Sequence, residues 1–169
     1  MSGRRWHPPR RSTFGGLHLG RSQKHTADEY EKVKAENDWT SAQVARFPDR
    51  LVGFCSINPL KPYALDELAR CAKDPHLRRG LKLHFANSRV DYHNPMHIER
   101  LRQLFRAANR YGMAIIAHIR TSISAKIAYG ADEARILLDE VIPAAPDVPI
   151  QIAHLAGAGG YRDPLTDQA

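Results

Sequence analysis

The chain has 169 residues, of which 43% are hydrophobic, and a formal net charge of +7. This length fits one domain, leaves no room for two, and falls short of the roughly 250 residues of a complete (β/α)8 barrel. Residues 1–27 hold six basic residues and no acidic one, whereas residues 28–169 hold 19 basic and 18 acidic side chains. A nearly neutral body has no strong field for polyanions, so we predict that the protein binds no nucleic acid.

The two cysteines, Cys55 and Cys71, are too few for the disulfide framework of a small secreted protein. We interpret them as reduced thiols and expect a cytoplasmic protein. No apolar run reaches the length of about 18 residues that a membrane span requires. We therefore predict no membrane partner.

Residues 1–25 have neither helical nor strand periodicity, and we predict that they form a disordered basic tail. One ordered domain is expected over residues 26–161, followed by a disordered end at residues 162–169. Thr26 and Glu29 have the spacing of a capping box, which predicts a helix start. The same spacing at Thr40 and Gln43 predicts a second, short helix, which Pro48 ends.

From residue 51 onwards, apolar strands alternate with amphipathic helices. The predicted strands cover 51–57, 80–85, 113–118 and 148–154, and the predicted helices cover 62–73, 94–111 and 131–143. Helical spacing places Leu65 and Leu68, and later Leu137 and Leu138, on inward faces. The alternation predicts an α/β fold with parallel strands, which is either an open doubly wound sheet or a segment of a (β/α)8 barrel.

Two polar residues lie within the second predicted strand. Because alternate residues of a strand share a face, Lys82 and His84 point away from the side that Leu81 and Leu83 occupy. Burying a lysine without a partner is costly. Lys82 therefore pairs with an inward carboxylate, is exposed by a different strand register, or has a role in a functional site.

Two further histidines stand last in their predicted strands, His118 in the third and His154 in the fourth. The carboxyl ends of parallel strands are where α/β folds place their chemistry, and imidazole suits both metal binding and proton transfer. A single histidine of this kind is more often structural, but equivalent positions on neighbouring strands predict a shared site. Arg120, two residues after His118, is a candidate for contacting an anionic substrate, or a solvated loop residue.

Four segments in this order, RFPDRLVGFCSINP, GLKLH, GMAIIAHIR and VPIQIAHLAGAGG, resemble the amidohydrolase-related family of metal-dependent TIM-barrel enzymes. Within that family they resemble the branch of aminocarboxymuconate-semialdehyde-decarboxylase-like proteins. The resemblance covers roughly residues 37–161.

The resemblance implies a partial (β/α)8 barrel in which the predicted strands are the third to the sixth. It implies a divalent metal, often zinc, at the carboxyl-terminal mouth. His118 matches the metal-binding histidine of the fifth strand, and His154 matches a sixth-strand histidine that tends to act in catalysis or bind near the metal. Lys82 matches a lysine that is carboxylated and bridges two metals in some relatives. For the usually single-metal branch, we expect Lys82, His84 and Arg120 to bind substrate instead.

The chain also departs from the family pattern. No His-x-His motif, which supplies two metal ligands from the first strand, occurs in the sequence, and no aspartate stands where an eighth strand would carry one. The ligand set is therefore incomplete, since a catalytic zinc usually has three protein ligands.

The function that the resemblance implies is metal-dependent hydrolysis, in which an activated water attacks a carbonyl-type group of a small-molecule substrate. One alternative is non-oxidative decarboxylation at the same site. Another is a truncated fragment without activity of its own. A homo-oligomer is a further expectation, because four strands leave two sheet edges to cover.

Overall fold

The computed structural model describes residues 27–119 and 129–156. The predicted tail at 1–25, the Thr26 cap, Arg120 and the predicted end at 162–169 lie outside these residues. The helices are α1 (Ala27–Ala45), α2 (Ala64–Cys71), α3 (Phe85–Ser88), α4 (Pro95–Arg110) and α5 (Ala131–Ile136), and the strands are β1 (Cys55–Ser56), β2 (Gly80–His84), β3 (Ala114–His118) and β4 (Ile150–Ile152). Within this part of the chain, no helix combines the length and apolar character needed to cross a membrane.

The four strands form one parallel sheet in the order β1-β2-β3-β4. This order distinguishes between the two predicted architectures. A doubly wound sheet reverses its strand order at a switch point, whereas neighbouring strands of a (β/α)8 barrel follow the chain. The sheet therefore has the topology of a barrel segment, which confirms the α/β prediction.

The central strands separate apolar from polar side chains as predicted. Leu81, Leu83 and Ile115 are fully buried on the side of the sheet where the helices pack. Lys82 and His84 lie on the other face and are half-buried. The core between sheet and helices receives the inward face of α4, which comprises Ile98, Leu101, Leu104, Phe105 and Ala108.

The helix α4 begins and ends as its sequence predicts. The side chain of Asn94 accepts a hydrogen bond from the N–H of Met96, and Pro95 stands at the first helical position. At the other end Gly112 has a φ of 65°, in the left-handed region that favours glycine. The N–H of Met113 then bonds back to the carbonyl of Ala108, which closes the helix.

The prediction of two helices before the first strand is wrong, because α1 is continuous from Ala27 to Ala45. The hydroxyl of Thr40 donates backwards to the carbonyl of Glu36 at 2.9 Å, so it does not cap a new helix. The same helix is attached to β1 through Asn37. Its side-chain amide donates to the carbonyl of Ser56 and accepts from the N–H of Ser56, at 3.2 and 2.9 Å. Asn37 thus replaces a strand neighbour at the outer edge of β1.

The inward face of α2 differs from its prediction. Leu65 is 42% exposed, while Ala64, Glu67 and Leu68 are buried. Glu67 tolerates burial because Arg70 binds its carboxylate through two nitrogens, each at 2.8 Å, and Asn37 donates to it at 2.7 Å. The apolar spacing alone did not anticipate a buried ion pair on this face.

Cys55 of β1 and Cys71 of α2 are joined by a disulfide, and both are fully buried. The prediction of reduced thiols is therefore wrong. The two residues are 16 positions apart in the chain, but packing of α2 on the sheet brings their Cα atoms within 6.0 Å. That separation is in the range a disulfide requires.

Reduction of this disulfide should lower the free energy of unfolding by about 3 kcal/mol, the chain-entropy estimate for a loop of this length. Urea unfolding followed by circular dichroism, with and without a phosphine reductant, measures the change. The double variant Cys55→Ala/Cys71→Ala is the control and should not respond to reductant. Equal midpoints for the wild-type protein under both conditions would contradict the assignment of the bond.

The segment after α5 also differs from its prediction. Residues Leu137–Val141 form a π-helical turn, which holds more residues per turn than an α-helix and shifts the inward face. Leu137 is 2% exposed and Leu138 is 58% exposed, although both were predicted to face inward.

These adjacent leucines provide a matched pair of substitutions. Leu137→Ala should destabilise the protein by about 2–5 kcal/mol, because it removes buried methyl groups and leaves a cavity. Leu138→Ala should change stability by no more than about 0.5 kcal/mol, as a surface substitution does. Chemical denaturation measures the free energy of unfolding of both variants. Similar decreases for the two would contradict the burial of Leu137 and the exposure of Leu138.

Candidate active site

The parallel pairing of β2 and β3 places two histidines side by side. His84 and His118 are register partners at the carboxyl ends of their strands. Their rings stack with centroids 4.1 Å apart and planes 14° from parallel. Two of the histidines that the sequence singled out in neighbouring strands therefore meet in one cluster.

His154 joins the cluster from the next strand. Its ring lies edge-on to that of His118, with centroids 5.0 Å apart. The predicted strand was too long, because β4 ends at Ile152 and His154 stands in the 3-10 turn Ala153–Ala156. The residue has a φ of 56°, in the left-handed region that few residues other than glycine adopt. Such backbone conformations concentrate at functional sites.

Lys82 lies on the same face of β2 as His84, two residues earlier. Burial lowers the pKa of Lys82, and no acidic side chain of residues 29–119 or 129–154 forms an ion pair with it. Burial also lowers the pKa of His84, and the nearby charge of Lys82 lowers it further. The face therefore presents two nitrogen groups side by side, the amine of Lys82 and the imidazole of His84, to a ligand.

The ring of His84 is fixed from its other side. Its Nδ1 accepts a hydrogen bond from the N–H of Asn87 at 3.3 Å, which caps the short helix α3. The strand therefore passes directly into a helical turn at His84. This turn positions the imidazole at the end of β2.

The cluster supplies part of the donor set that a divalent metal needs. Imidazole nitrogens bind zinc readily, and His118 and His154 lie beside one another at adjacent strand ends. Among the described residues, one group brings three potential metal-ligating atoms within 4.8 Å of one another, and it consists of Cys55, Glu67 and Cys71. Its sulfurs are bonded to each other and its carboxylate pairs with Arg70, so these atoms are already engaged.

Sequence reasoning missed two polar contacts. The Nε2 of His93 lies 2.7 Å from a carboxylate oxygen of Glu133, and the hydroxyl of Tyr92 donates to the carbonyl of Ile119 at 2.8 Å. Both contacts join the segment after β2 to the segment after β3. The sequence held one indication of the position of Glu133, the helix that it predicts from residue 131. The carboxylate of Glu133 also accepts a hydrogen bond from the N–H of Gly130, at 2.8 Å, and therefore lies at the start of this helix.

The fold and the cluster together define a class of protein. Parallel βα units with polar residues at the carboxyl ends of neighbouring strands are typical of (β/α)8-barrel enzymes. The chain belongs to the amidohydrolase family, whose sequence model matches residues 9–168. This match is longer than the 37–161 over which the four segments showed a resemblance. No curated protein and no solved structure matched the chain.

Membership confirms the predicted family and supports a metal-dependent, hydrolase-type function in general terms. The family generally uses a divalent metal. The imidazoles of His118, which is half-buried, and of His154, which is exposed, are of a chemical type that suits such an ion.

The contact between His93 and Glu133 should make stability depend on pH. The hydrogen bond with Glu133 raises the pKa of His93 from its ordinary value of 6.5. Burial alone would raise the pKa of Glu133, but hydrogen bonds from His93 and from backbone N–H groups lower it below 4.5. The stabilisation through His93 is complete below pH 6.5 and is lost as pH rises through its raised pKa. The stabilisation through Glu133 is complete above pH 4.5 and is lost as pH falls through its lowered pKa.

The pair should therefore contribute most between pH 4.5 and 6.5. The measurement is the difference in unfolding free energy between wild type and His93→Ala across pH 3 to 9. The same difference in a Glu133→Gln background is the control and should show no maximum. A flat difference in the wild-type background would exclude an ion pair at this position. The effect should be small, because His93 is 59% exposed and water screens its charge.

Proposed function

We propose that the chain carries part of the active site of a metal-dependent hydrolase with a small-molecule substrate. In this proposal His118 binds the metal, for which we propose zinc because imidazole nitrogens are among its usual ligands, and His154 is the catalytic residue. The observation that supports it most is the contact of His84, His118 and His154 at three neighbouring strand ends.

A bound divalent ion would lower the pKa of the attacking water and polarise the carbonyl group of the substrate. His154 accepts the proton of that water at a ring nitrogen and returns it to the leaving group. Lys82 and His84 hold the anionic part of the substrate on the open face of β2. Arg120, which follows β3 in the chain, is proposed to add a bidentate contact to the same anionic group.

Decarboxylation without an oxidant is the alternative at this site, and Lys82 supports it, because none of the described acidic side chains forms an ion pair with its amine. A half-buried cation suits a substrate carboxylate, whether that group is retained or released as carbon dioxide. The branch of decarboxylase-like proteins, which the four sequence segments resemble, belongs to this alternative. Release of carbon dioxide in place of an alcohol or amine product distinguishes the two reactions.

A chain without catalytic activity of its own is the second alternative. A catalytic zinc usually takes three protein ligands. His118 and His154 supply at most two of them among the described residues, so a third must come from elsewhere in an active protein. The metal content of the purified protein discriminates between an active site and an inactive fragment.

We also propose that the protein self-associates, and we consider its cellular location. Self-association is supported by β4, which pairs only with β3 in the described part of the chain and leaves a sheet edge to cover. The cytoplasmic location stays a prediction from the sequence. The buried disulfide weighs against it, because such bonds persist in oxidising compartments.

Purified protein should hold about one zinc per chain at neutral pH, and His118→Ala should remove it, because the substitution deletes a metal ligand. Elemental analysis after dialysis against zinc measures both. His76→Ala is the matched control, since it makes the same change in the connection that precedes β2, away from the carboxyl ends of the strands. Wild-type protein without stoichiometric zinc, or equal zinc in His118→Ala, would count against the proposed site.

A further inference from the structure

We infer that His84 binds an anionic oxygen of the substrate by donating a hydrogen bond from Nε2, and that it is not a ligand of the metal. This inference rests on the proposed function and assigns a role to one residue of that site. It differs from the simplest interpretation of the cluster, in which all three imidazoles surround one ion.

A hydrogen bond at Nδ1 determines which nitrogen of His84 carries the proton. The N–H of Asn87 donates to Nδ1 of His84 at 3.3 Å, so the lone pair of this nitrogen is occupied. A neutral imidazole has one protonated nitrogen and one acceptor nitrogen. Since Nδ1 accepts, Nε2 carries the proton.

The hydrogen bond at Nδ1 is the opposite of the arrangement that a metal-binding histidine has. A nitrogen that ligates a metal offers its lone pair, and the other ring nitrogen of such a histidine donates its proton to a carboxylate, a carbonyl oxygen or water. His84 has the reverse arrangement, because a backbone donor faces its Nδ1. Its Nε2–H is therefore a donor and has no lone pair to give to an ion.

The groups that surround the Nε2–H donor suit an anionic ligand. His84 shares its strand face with Lys82 and stacks on His118. A hydrogen-bond donor beside a cation suits a carboxylate or a developing oxyanion, and donors fixed in advance are effective because they need no reorganisation. The backbone turn at α3 supplies that fixing.

Two amide substitutions separate the roles of the two ring nitrogens. In His84→Asn the side-chain oxygen can still accept from the N–H of Asn87, but no donor remains at the Nε2 position. In His84→Gln the longer side chain places an amide N–H near that position. Each variant is tested as the full chain, with acetate as the anionic probe and zinc as the metal.

We expect both variants to bind zinc within about threefold of wild type. His84→Asn should weaken acetate binding about tenfold, the effect of losing one hydrogen bond to a charged group. His84→Gln should stay within about threefold of wild type. Loss of zinc in both variants would show that His84 is a ligand and overturn the inference, as would wild-type acetate affinity in His84→Asn.

Nitrogen NMR of the wild-type protein supplies a measurement that needs no variant to fold. The imidazole of His84 should have an unprotonated Nδ1 and a protonated Nε2 before and after zinc is added. Protonation at Nδ1, or loss of the Nε2 proton on adding zinc, would overturn the inference. The tautomer is measured first without metal, so a protein that binds no zinc would refute the proposed function and leave this result interpretable.

Discussion

The site depends on the register between β2 and β3. Five consecutive residue pairs join these strands, from Gly80 with Ala114 to His84 with His118. A shift of one residue would turn Lys82 and His84 towards the helices and expose Leu81 and Leu83 on the opposite face. Because those leucines are fully buried, the hydrophobic core opposes any such shift. The burial of one face therefore determines which side chains the other face presents.

The edge of the sheet at β1 is held by polar groups. Asn37 bonds both backbone groups of Ser56 and also the carboxylate of Glu67. Glu67 pairs with Arg70, and the disulfide joins the same helix to the same strand. Removing one member of such a buried network leaves its partners without hydrogen bonds, which is more costly than the network's net contribution. This arrangement closes one edge of a four-stranded sheet.

The sequence allowed the central part of the fold to be predicted well. The boundaries of β2, β3 and α4 agree with the predictions to within about a residue, because these elements have one apolar face and clear start or stop signals. The edge strands β1 and β4 are shorter than their apolar runs, since an apolar run does not specify where pairing ends. The exposure of Leu65 and Leu138 depends on the rotation of a helix about its axis. Tertiary contacts set that rotation, and local spacing does not contain them.

Part of the candidate site could also be predicted from the sequence. His84 and His118 meet because they end neighbouring strands, which the strand–helix alternation predicts. The reversed hydrogen bond at Nδ1 of His84 was not predictable, because it depends on the helical turn that follows β2. The contact between His93 and Glu133 joins residues 40 positions apart, and nothing in either local sequence indicates it. Such long-range polar pairs emerge only from the folded chain.

We propose that the metal binds at the strand ends and not between the two cysteines. X-ray absorption at the zinc edge of zinc-loaded protein tests this claim directly, because the two ligand types differ in distance. We expect nitrogen or oxygen neighbours at about 2.0–2.1 Å, with the scattering pattern of imidazole and no sulfur. Sulfur neighbours at about 2.3 Å would place the metal at Cys55 and Cys71 and contradict it.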